Sequence, residues 1–180
     1  MSITADHIRA TLDEYLAAYP DEEERLTGLS ELLDASADLS SRKEFRGHVT
    51  AGAVLGDTVG RVLHIHHRAL NRWLLPGGHV EAHDGSLLAA AQRELAEETG
   101  IPASAVTPVV RRPVHIDAHH IPANPDKGEP GHPHFDFWFV FRTAAEAVEP
   151  QAEEVTAAAW RYADTIEDED LRGRVLEALR

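Results

Sequence analysis

Apolar residues follow helical spacing through the first 40 positions of the chain. Between residues 4 and 19 they recur every three or four positions, and Pro20 then blocks continuation of the helix. A second run of leucines extends from residue 21 to about 37 and begins with acidic residues, which the helix dipole favours at that end. The pattern predicts a helical hairpin over residues 1–40, which could pack on the sheet or serve as a lid or dimer surface.

Apolar and polar residues alternate in several later segments, as they do in strands with one buried face. The predicted strands cover residues 48–55, 59–66, 73–75, 106–119, 135–142 and 155–162, and helices are predicted near residues 84–100 and 165–179. This order of elements favours an α/β fold over residues 41–180, with a mixed sheet between helices.

One long loop is predicted between the strands at residues 106–119 and 135–142. Its sequence from 121 to 133, IPANPDKGEPGHP, holds four prolines and two glycines, which we expect to exclude helix and strand. Loops of this length in compact domains are usually functional or disordered. The prolines would hold such a loop over a cleft at low entropic cost, so we expect it to serve function.

Three glutamates share one face of the helix near residues 84–100. Glu94, Glu97 and Glu98 stand at positions i, i+3 and i+4, so their side chains project together. Like charges at this spacing repel one another unless a cation lies between them. Carboxylate oxygens suit Mg²⁺, Mn²⁺ or Ca²⁺, and Mg²⁺ in particular combines a few carboxylates with substrate phosphates. The spacing therefore favours a divalent-metal site.

The same segment carries the signals of a packed helix with defined ends. Its other face is apolar, with Leu87, Leu88, Ala91 and Leu95 at helical spacing. Either Asp84 or Ser86 can cap the first turn, while Gly100 and then Pro102 end the helix. Packing of this kind would fix the glutamates in place.

The segment from Gly78 to Ile101 resembles the Nudix box. The usual form of that motif reads Gly, five residues, Glu, seven residues, and then Arg-Glu-apolar-any-Glu-Glu-any-Gly-apolar. Here the second part runs unbroken from Arg93, whereas Asp84 replaces the first glutamate and eight residues separate it from Arg93. In the family this acid braces the loop, commonly through the arginine, so both departures bear on loop bracing more than on the metal ligands.

The resemblance implies an α/β/α sandwich and a Mg²⁺-dependent hydrolase, with Mn²⁺ as an alternative ion. The expected substrate is a small molecule, a nucleoside diphosphate derivative or related organic diphosphate, whose diphosphate linkage is cleaved by water. The implied metal ligands are Glu94, Glu97, Glu98 and a backbone carbonyl of the glycine turn, here assigned to Gly78. A Nudix-fold module that binds or senses a nucleotide without catalysis is the alternative.

Catalytic roles are assigned on the same resemblance. Glu97 and Glu98 belong to the expected catalytic set, and Arg93 would brace the carboxylates from behind. The general base could be Glu97 or an acid from a distant loop, for which Glu153 and Glu154 are the candidates. These two acids lie just before the strand predicted at 155–162.

Two rows of alternating histidine and aspartate form a further candidate site. The first is His115-x-Asp117-x-His119 and the second is His132-x-His134-x-Asp136, so each row would lie on one strand face. If the two segments pair, the rows meet. They could build a second metal site, contact the substrate, or only face solvent, and His119, His132, His134 and Asp136 are the substrate-binding candidates. Arg46 is a further candidate for a substrate phosphate.

Composition narrows the remaining possibilities. The chain of 180 residues has 31 acidic and 17 basic residues, a net charge of −14, which disfavours nucleic-acid or membrane-surface partners. The absence of cysteine excludes disulfides, thiolate metal sites and cysteine nucleophiles. With neither a signal-peptide pattern nor a long apolar run, the expected location is the cytoplasm. The resemblance also makes a homodimer possible, although the sequence does not fix the oligomeric state.

Overall fold

The computed structural model describes residues 2–144 and 155–180. The helices are α1 (Ala5–Ala18), α2 (Thr27–Asp34), α3 (Leu87–Thr99) and α4 (Glu169–Ala178). The strands are β1 (His48–Gly56), β2 (Arg61–His67), β3 (Arg72–Leu74), β4 (Gly77–His79), β5 (Val106–Pro108), β6 (His115–Ile121), β7 (His132–Thr143) and β8 (Val155–Tyr162). The predicted strands at 48–55, 59–66, 135–142 and 155–162 are confirmed, with ends shifted by one or a few residues.

The strands form one mixed sheet around a parallel pair. β1 lies parallel to β7, with His48 beside His134 and Gly56 beside Arg142. Antiparallel neighbours then extend the sheet in the order β3-β2-β1-β7-β5, while β4 pairs with β1, β6 with β7, and β8 with β2. Every residue of β1 is buried, as expected for a strand with structure on both faces.

Helices cover both faces of the sheet. On one face, α1, α2 and α3 share a core with alternate residues of the central strands, among them Phe135, Phe137, Phe139 and Phe141. On the other face, α4 packs through Leu171 and Val175 against Val54, Val62 and Val140. The arrangement is the predicted α/β/α sandwich.

The N-terminal hairpin is part of the main core. Its helices bury Leu12, Tyr15, Leu29 and Leu33 among residues of β1, β7 and α3. We predicted a second helix over residues 21–37, but α2 is shorter because a 3-10 turn at Pro20–Glu22 precedes it and Ser36 adopts a left-handed backbone (φ 53°) after it. Of the roles considered for the hairpin, the structure confirms packing on the rest of the protein.

A buried ion network fastens this hairpin to α4. The carboxylate of Glu22 accepts hydrogen bonds from Arg25 (2.8 Å) and Arg174 (2.6 Å), and Arg174 also contacts the hydroxyl of Tyr15. Burial raises the pKa of Glu22, but the two arginines outweigh it, so the pKa lies below its usual value.

Glu22→Gln is expected to destabilise the protein by about 2 kcal/mol at pH 7, because charge-assisted hydrogen bonds are lost. Since the folded pKa is below the usual 4.5, the carboxylate adds stability above that pH, and the gain disappears as pH falls through the folded value. Urea unfolding at pH 7 and near pH 3 measures this. The exposed neighbour Glu23→Gln is the control, and a pH-independent difference would contradict the prediction.

Two segments differ from the sequence prediction. Residues 106–119 were expected to be extended throughout, but a turn separates β5 from β6, where Pro113 has no N–H to continue the ladder. The loop at 121–133 is shorter than predicted: β6 ends at Ile121, β7 begins at His132, and Asn124 bridges Glu129 between them. Gly128 supplies the left-handed turn (φ 67°) that closes this short hairpin.

The last helix starts later than predicted, since Asp168 rather than residue 165 caps it, accepting from the N–H of Leu171 at 2.6 Å. Within residues 2–144 and 155–180, no helix is both long and apolar enough to cross a membrane.

Candidate active site

Helix α3 is held at both ends and along its apolar face. The hydroxyl of Ser86 caps it by accepting from the N–H of Ala89 (3.1 Å), and Gly100 ends it with a left-handed backbone (φ 73°). The N–H of Leu87 donates to Nε2 of His7 on α1 at 3.1 Å, so the N-terminal hairpin satisfies a second free donor of this helix. The predicted cap and end are confirmed, and the helix backbone that carries the glutamates is held in place.

Two of the three glutamates contact the glycines at the start of β4, the segment predicted as a turn. Glu98 is buried, and its Oε2 accepts a hydrogen bond from the N–H of Gly77 at 2.8 Å. The carboxylate of Glu94 lies against Gly78 so closely that a Cβ on this glycine would be 2.7 Å from Oε1. Glu97 is half-exposed, with 49% of its side chain accessible. The helix face and the glycine backbone thus form two sides of one cleft.

Arg93 binds the carboxylates from one side. Its Nη1 donates to Glu94 Oε1 and to Glu97 Oε2, both at 2.9 Å. Its Nη2 also donates to the backbone carbonyl of His79 at 2.9 Å. One guanidinium therefore sets the positions of two glutamates relative to the glycine turn, the role predicted for it.

Asp84 completes this brace despite the departures from the usual motif. It binds Arg93 in a bidentate pair (Nε to Oδ1 3.0 Å, Nη2 to Oδ2 2.9 Å) and accepts from the N–H of Glu81 at 2.7 Å. Burial raises its pKa, but the hydrogen bonds with Arg93 and Glu81 outweigh that effect and lower it overall. A shorter acid on a loop with one more residue reaches the same arginine.

The cleft contains basic residues that the sequence did not reveal. It has a volume of about 630 Å³ and is lined by the three glutamates, Arg93 and the glycine turn, together with Arg42, Arg68 and Lys127. These cations come from three separate segments, so no local spacing marks them. They place positive charge beside the carboxylates, as binding of a phosphate group requires.

The residues of the cleft fit a divalent cation. Three carboxylates line the cleft, and they are hard oxygen donors of the type that Mg²⁺ and Mn²⁺ prefer. A side chain on Gly78 would enter the space that the carboxylate of Glu94 occupies. Glu94, Glu97, Glu98 and the carbonyl of Gly78 are therefore the candidate ligands.

Gly78→Ala is expected to lower activity by roughly 100-fold, because the added Cβ displaces the carboxylate of Glu94 and small misplacements at reacting groups have effects of this size. Stability should change little, since the displaced atoms end a flexible side chain. Initial rates and thermal unfolding measure the two effects. Gly85→Ala in the same loop is the control, because nothing lies within 4 Å of its added Cβ. Equal rates for both variants would contradict the prediction.

The two histidine and aspartate rows meet, because β6 and β7 pair as the rows require. His119 lies beside His134 and Asp117 beside Asp136. Asp136 accepts a hydrogen bond from the hydroxyl of Thr50 at 2.5 Å. His119, His134 and Asp136 line a second pocket of about 450 Å³ that shares Gly77 and Gly78 with the first. The rows thus adjoin the glutamate cleft, and their role in substrate binding stays a prediction.

Two histidines of these rows have pKa values shifted in opposite directions. Burial lowers the pKa of His134 to about 3, and the neighbouring His48 and His79 lower it further. The Asp117 carboxylate, 3.0 Å from Nδ1 of His119, instead raises the pKa of that histidine, and Asp136 adds to the effect. His134 is therefore neutral at pH 7, whereas His119 becomes protonated at a higher pH than His134.

Two of the predicted site residues, Arg46 and His132, do not line these pockets. Arg46 is paired with Glu44 (2.6 Å) and does not line either pocket. Glu153 and Glu154 lie outside the described residues. His132 is buried at the start of β7, with its Nε2 3.2 Å from Nε2 of His134.

The chain is similar to known proteins in its sequence pattern and in its fold. The NUDIX domain model matches residues 46–179. A Clostridium perfringens hydrolase of the NUDIX family superposes with a TM-score of 0.56 at 21% identity, over 73% of this chain and 95% of the other. Dihydroneopterin triphosphate pyrophosphohydrolase from E. coli gives 0.57 at 19% identity, over 72% and 92%. The NUDIX domain of Shewanella oneidensis NrtR, solved with ADP ribose, gives 0.55 at 19%, over 84% and 98%.

No curated protein matches the chain. The family model covers most of the sequence, including all of the glutamate helix and the glycine turn. The chain therefore belongs to the NUDIX domain family, and its fold is that of the Nudix hydrolases.

Proposed function

We propose that the protein is a Mg²⁺-dependent diphosphohydrolase that cleaves the diphosphate linkage of a nucleoside diphosphate derivative or related organic diphosphate. The observation that carries the proposal is that Glu94, Glu97 and Glu98 line one cleft, with Glu94 against Gly78, Glu98 bonded to Gly77, and Arg93 bonded to both Glu94 and Glu97.

The metal would be held by these three glutamates and the carbonyl of Gly78. Bound Mg²⁺, or Mn²⁺ in its place, supplies the positive charge that neutralises the diphosphate oxygens and activates water. Phosphoryl transfer depends mainly on positioning and charge neutralisation, so rigid carboxylates matter more than a reactive side chain.

The chain's own residues then have separate tasks. Arg93 orients Glu94 and Glu97, and the hydrogen bond from Gly77 orients Glu98. Arg42, Arg68 and Lys127 in the same cleft suit the substrate's phosphate oxygens. Among the described acids, Glu97 is the candidate general base because it is the most exposed of the three, and Glu153 and Glu154 stay further candidates.

ADP-ribose is the first substrate to test. An ADP-ribose pyrophosphatase from Streptococcus suis and the NrtR domain solved with ADP ribose share this fold at 19% identity. Fold alone does not select a substrate, so nucleoside diphosphate sugars, dinucleotides, nucleoside triphosphates and prenyl diphosphates belong in the same panel. A cytoplasmic location and a homodimer stay predictions.

Removal and return of the metal test the proposal. Protein treated with a chelator should lose hydrolysis of its best panel substrate, and added Mg²⁺ or Mn²⁺ should restore it. Chromatography of the products measures both steps. If calorimetry instead showed tight nucleotide binding while no product formed with either ion, the alternative of a non-catalytic nucleotide-binding module would replace the proposal.

A further inference from the structure

Four histidines gather where β1, β4 and β7 lie side by side. His48 on β1 is the register partner of His134 on β7, and His79 on β4 is paired with Thr50, two residues along β1. The ring centroids of His48 lie 4.4 Å from those of His134, 4.8 Å from His132 and 5.1 Å from His79. One nitrogen from each of His48, His79 and His134 falls within 4.8 Å of the others.

In the rings of His48 and His132, a backbone carbonyl determines which nitrogen is free to bind a metal. Nδ1 of His48 lies 3.3 Å from the carbonyl of Glu44, and Nδ1 of His132 lies 2.7 Å from that of Pro130. A carbonyl accepts only from a protonated nitrogen, so in the neutral ring Nε2 carries the lone pair. The same pattern, with the outer nitrogen on a carbonyl, orients metal-binding histidines in proteins.

The free nitrogen of His48 is buried without a donor. His48 is 1% exposed, and its Nε2 has no hydrogen-bond partner among residues 2–144 and 155–180. Buried acceptors are nearly always satisfied, so such an atom calls for an explanation. A cation bound between the rings provides one.

One pair of nitrogens in the cluster has the spacing expected for two imidazole ligands on a small ion. Nε2 of His132 and Nε2 of His134 are 3.2 Å apart. Tetrahedral Zn²⁺ with bonds of about 2.0–2.1 Å places its ligand nitrogens about 3.3–3.4 Å from one another. Behind His134, the carboxylate of Asp136 lies 3.9 Å from Nδ1, on the side away from His132.

We propose that His48, His79 and His134 form a binding site for a transition-metal ion of the Zn²⁺ class, with His132 as the neighbouring fourth donor. Imidazole selects Zn²⁺, Co²⁺, Ni²⁺ or Cu²⁺ rather than Mg²⁺, so this site and the glutamate site differ in the ion they take. His79 lines both pockets and follows directly after Gly78, which places the ion at the wall of the cleft. The proposal does not depend on the proposed hydrolytic activity.

Metal binding to chelator-treated, dialysed protein tests the proposal. Calorimetry with Zn²⁺ should show one tight site per chain, and Co²⁺ as a substitute should give the intense visible absorption of a four-coordinate ion. Both signals should persist in Glu97→Gln, which alters the glutamate site. The exposed His120→Ala on β6 is the matched histidine control and should also keep both.

His134→Ala and His79→Ala should weaken Zn²⁺ binding by more than about 100-fold, since even an outer partner of a metal ligand contributes about 10–100-fold. The Zn²⁺ affinity of the buried variant His48→Ala is interpreted only if circular dichroism shows that the protein is folded. The other two variants therefore decide the outcome. Zn²⁺ affinity equal to wild type in His134→Ala and His79→Ala would overturn the proposal. So would a wild-type protein that binds no Zn²⁺ or loses it in Glu97→Gln.

Discussion

Glu97→Gln or Glu98→Gln is expected to lower the rate of diphosphate hydrolysis by about 10²–10⁴-fold, the range for loss of a group acting on the reacting atoms. Glutamine keeps the shape of each side chain but removes a negative charge that the cation needs. In Glu98→Gln the amide oxygen can still accept from Gly77, so the turn should keep its place. Initial rates at saturating Mg²⁺ measure the loss.

Folding and charge need separate controls in this experiment. Circular dichroism should be unchanged in both variants, because the substitutions add no bulk. Glu31→Gln on α2 also removes one negative charge, but at an exposed position that is distant in sequence from Glu97 and Glu98. This variant should retain wild-type rates. Undiminished turnover in both Glu97→Gln and Glu98→Gln would rule out the glutamates as metal ligands.

Arg93→Met should destabilise the protein by about 3–5 kcal/mol, the usual effect of removing one partner from a buried ion pair. The side chains of Arg93 and Asp84 are only 13% and 3% exposed, so the substitution leaves the Asp84 carboxylate buried without its arginine. Methionine preserves the aliphatic stem, which limits the loss to the charged contacts. Urea unfolding in the presence of chelator gives the free energy of unfolding without a contribution from bound metal.

An exposed ion pair on the same protein provides the comparison. Arg9 and Asp34 are 40% and 73% exposed, and Arg9→Met should change the free energy of unfolding by less than about 1 kcal/mol. If Arg93→Met and Arg9→Met had similar effects, Arg93 would not be the brace of the glycine turn.

Local periodicity explains why much of the fold could be predicted from the sequence. Helix α3, its cap and its end follow from spacing, a serine and a glycine within one segment. Strands β1, β2, β7 and β8 follow from alternation and apolar runs. The two ends of the 121–133 loop were not predicted correctly. The pairing of β6 with β7 continues into this segment from both sides, although its prolines argue against a strand.

Contacts between distant segments could not be predicted. Arg42, Arg68 and Lys127 reach one cleft only because the fold brings their segments together. Arg46, predicted to bind a substrate phosphate, instead pairs locally with Glu44. Likewise His48 and His79 carry no motif of their own. They join the predicted rows because β4 and β7 both pair with β1.

Hydrolysis in ¹⁸O-labelled water tests the central claim most directly. Protein supplied with Mg²⁺ and its best panel substrate should release two phosphate-bearing products in equal amounts, and mass spectrometry should find a single ¹⁸O atom in one of them. This result would show that water attacks phosphorus within the diphosphate. Unchanged substrate across the whole panel with Mg²⁺ and Mn²⁺, from folded protein that nevertheless binds a nucleotide, would contradict the claim.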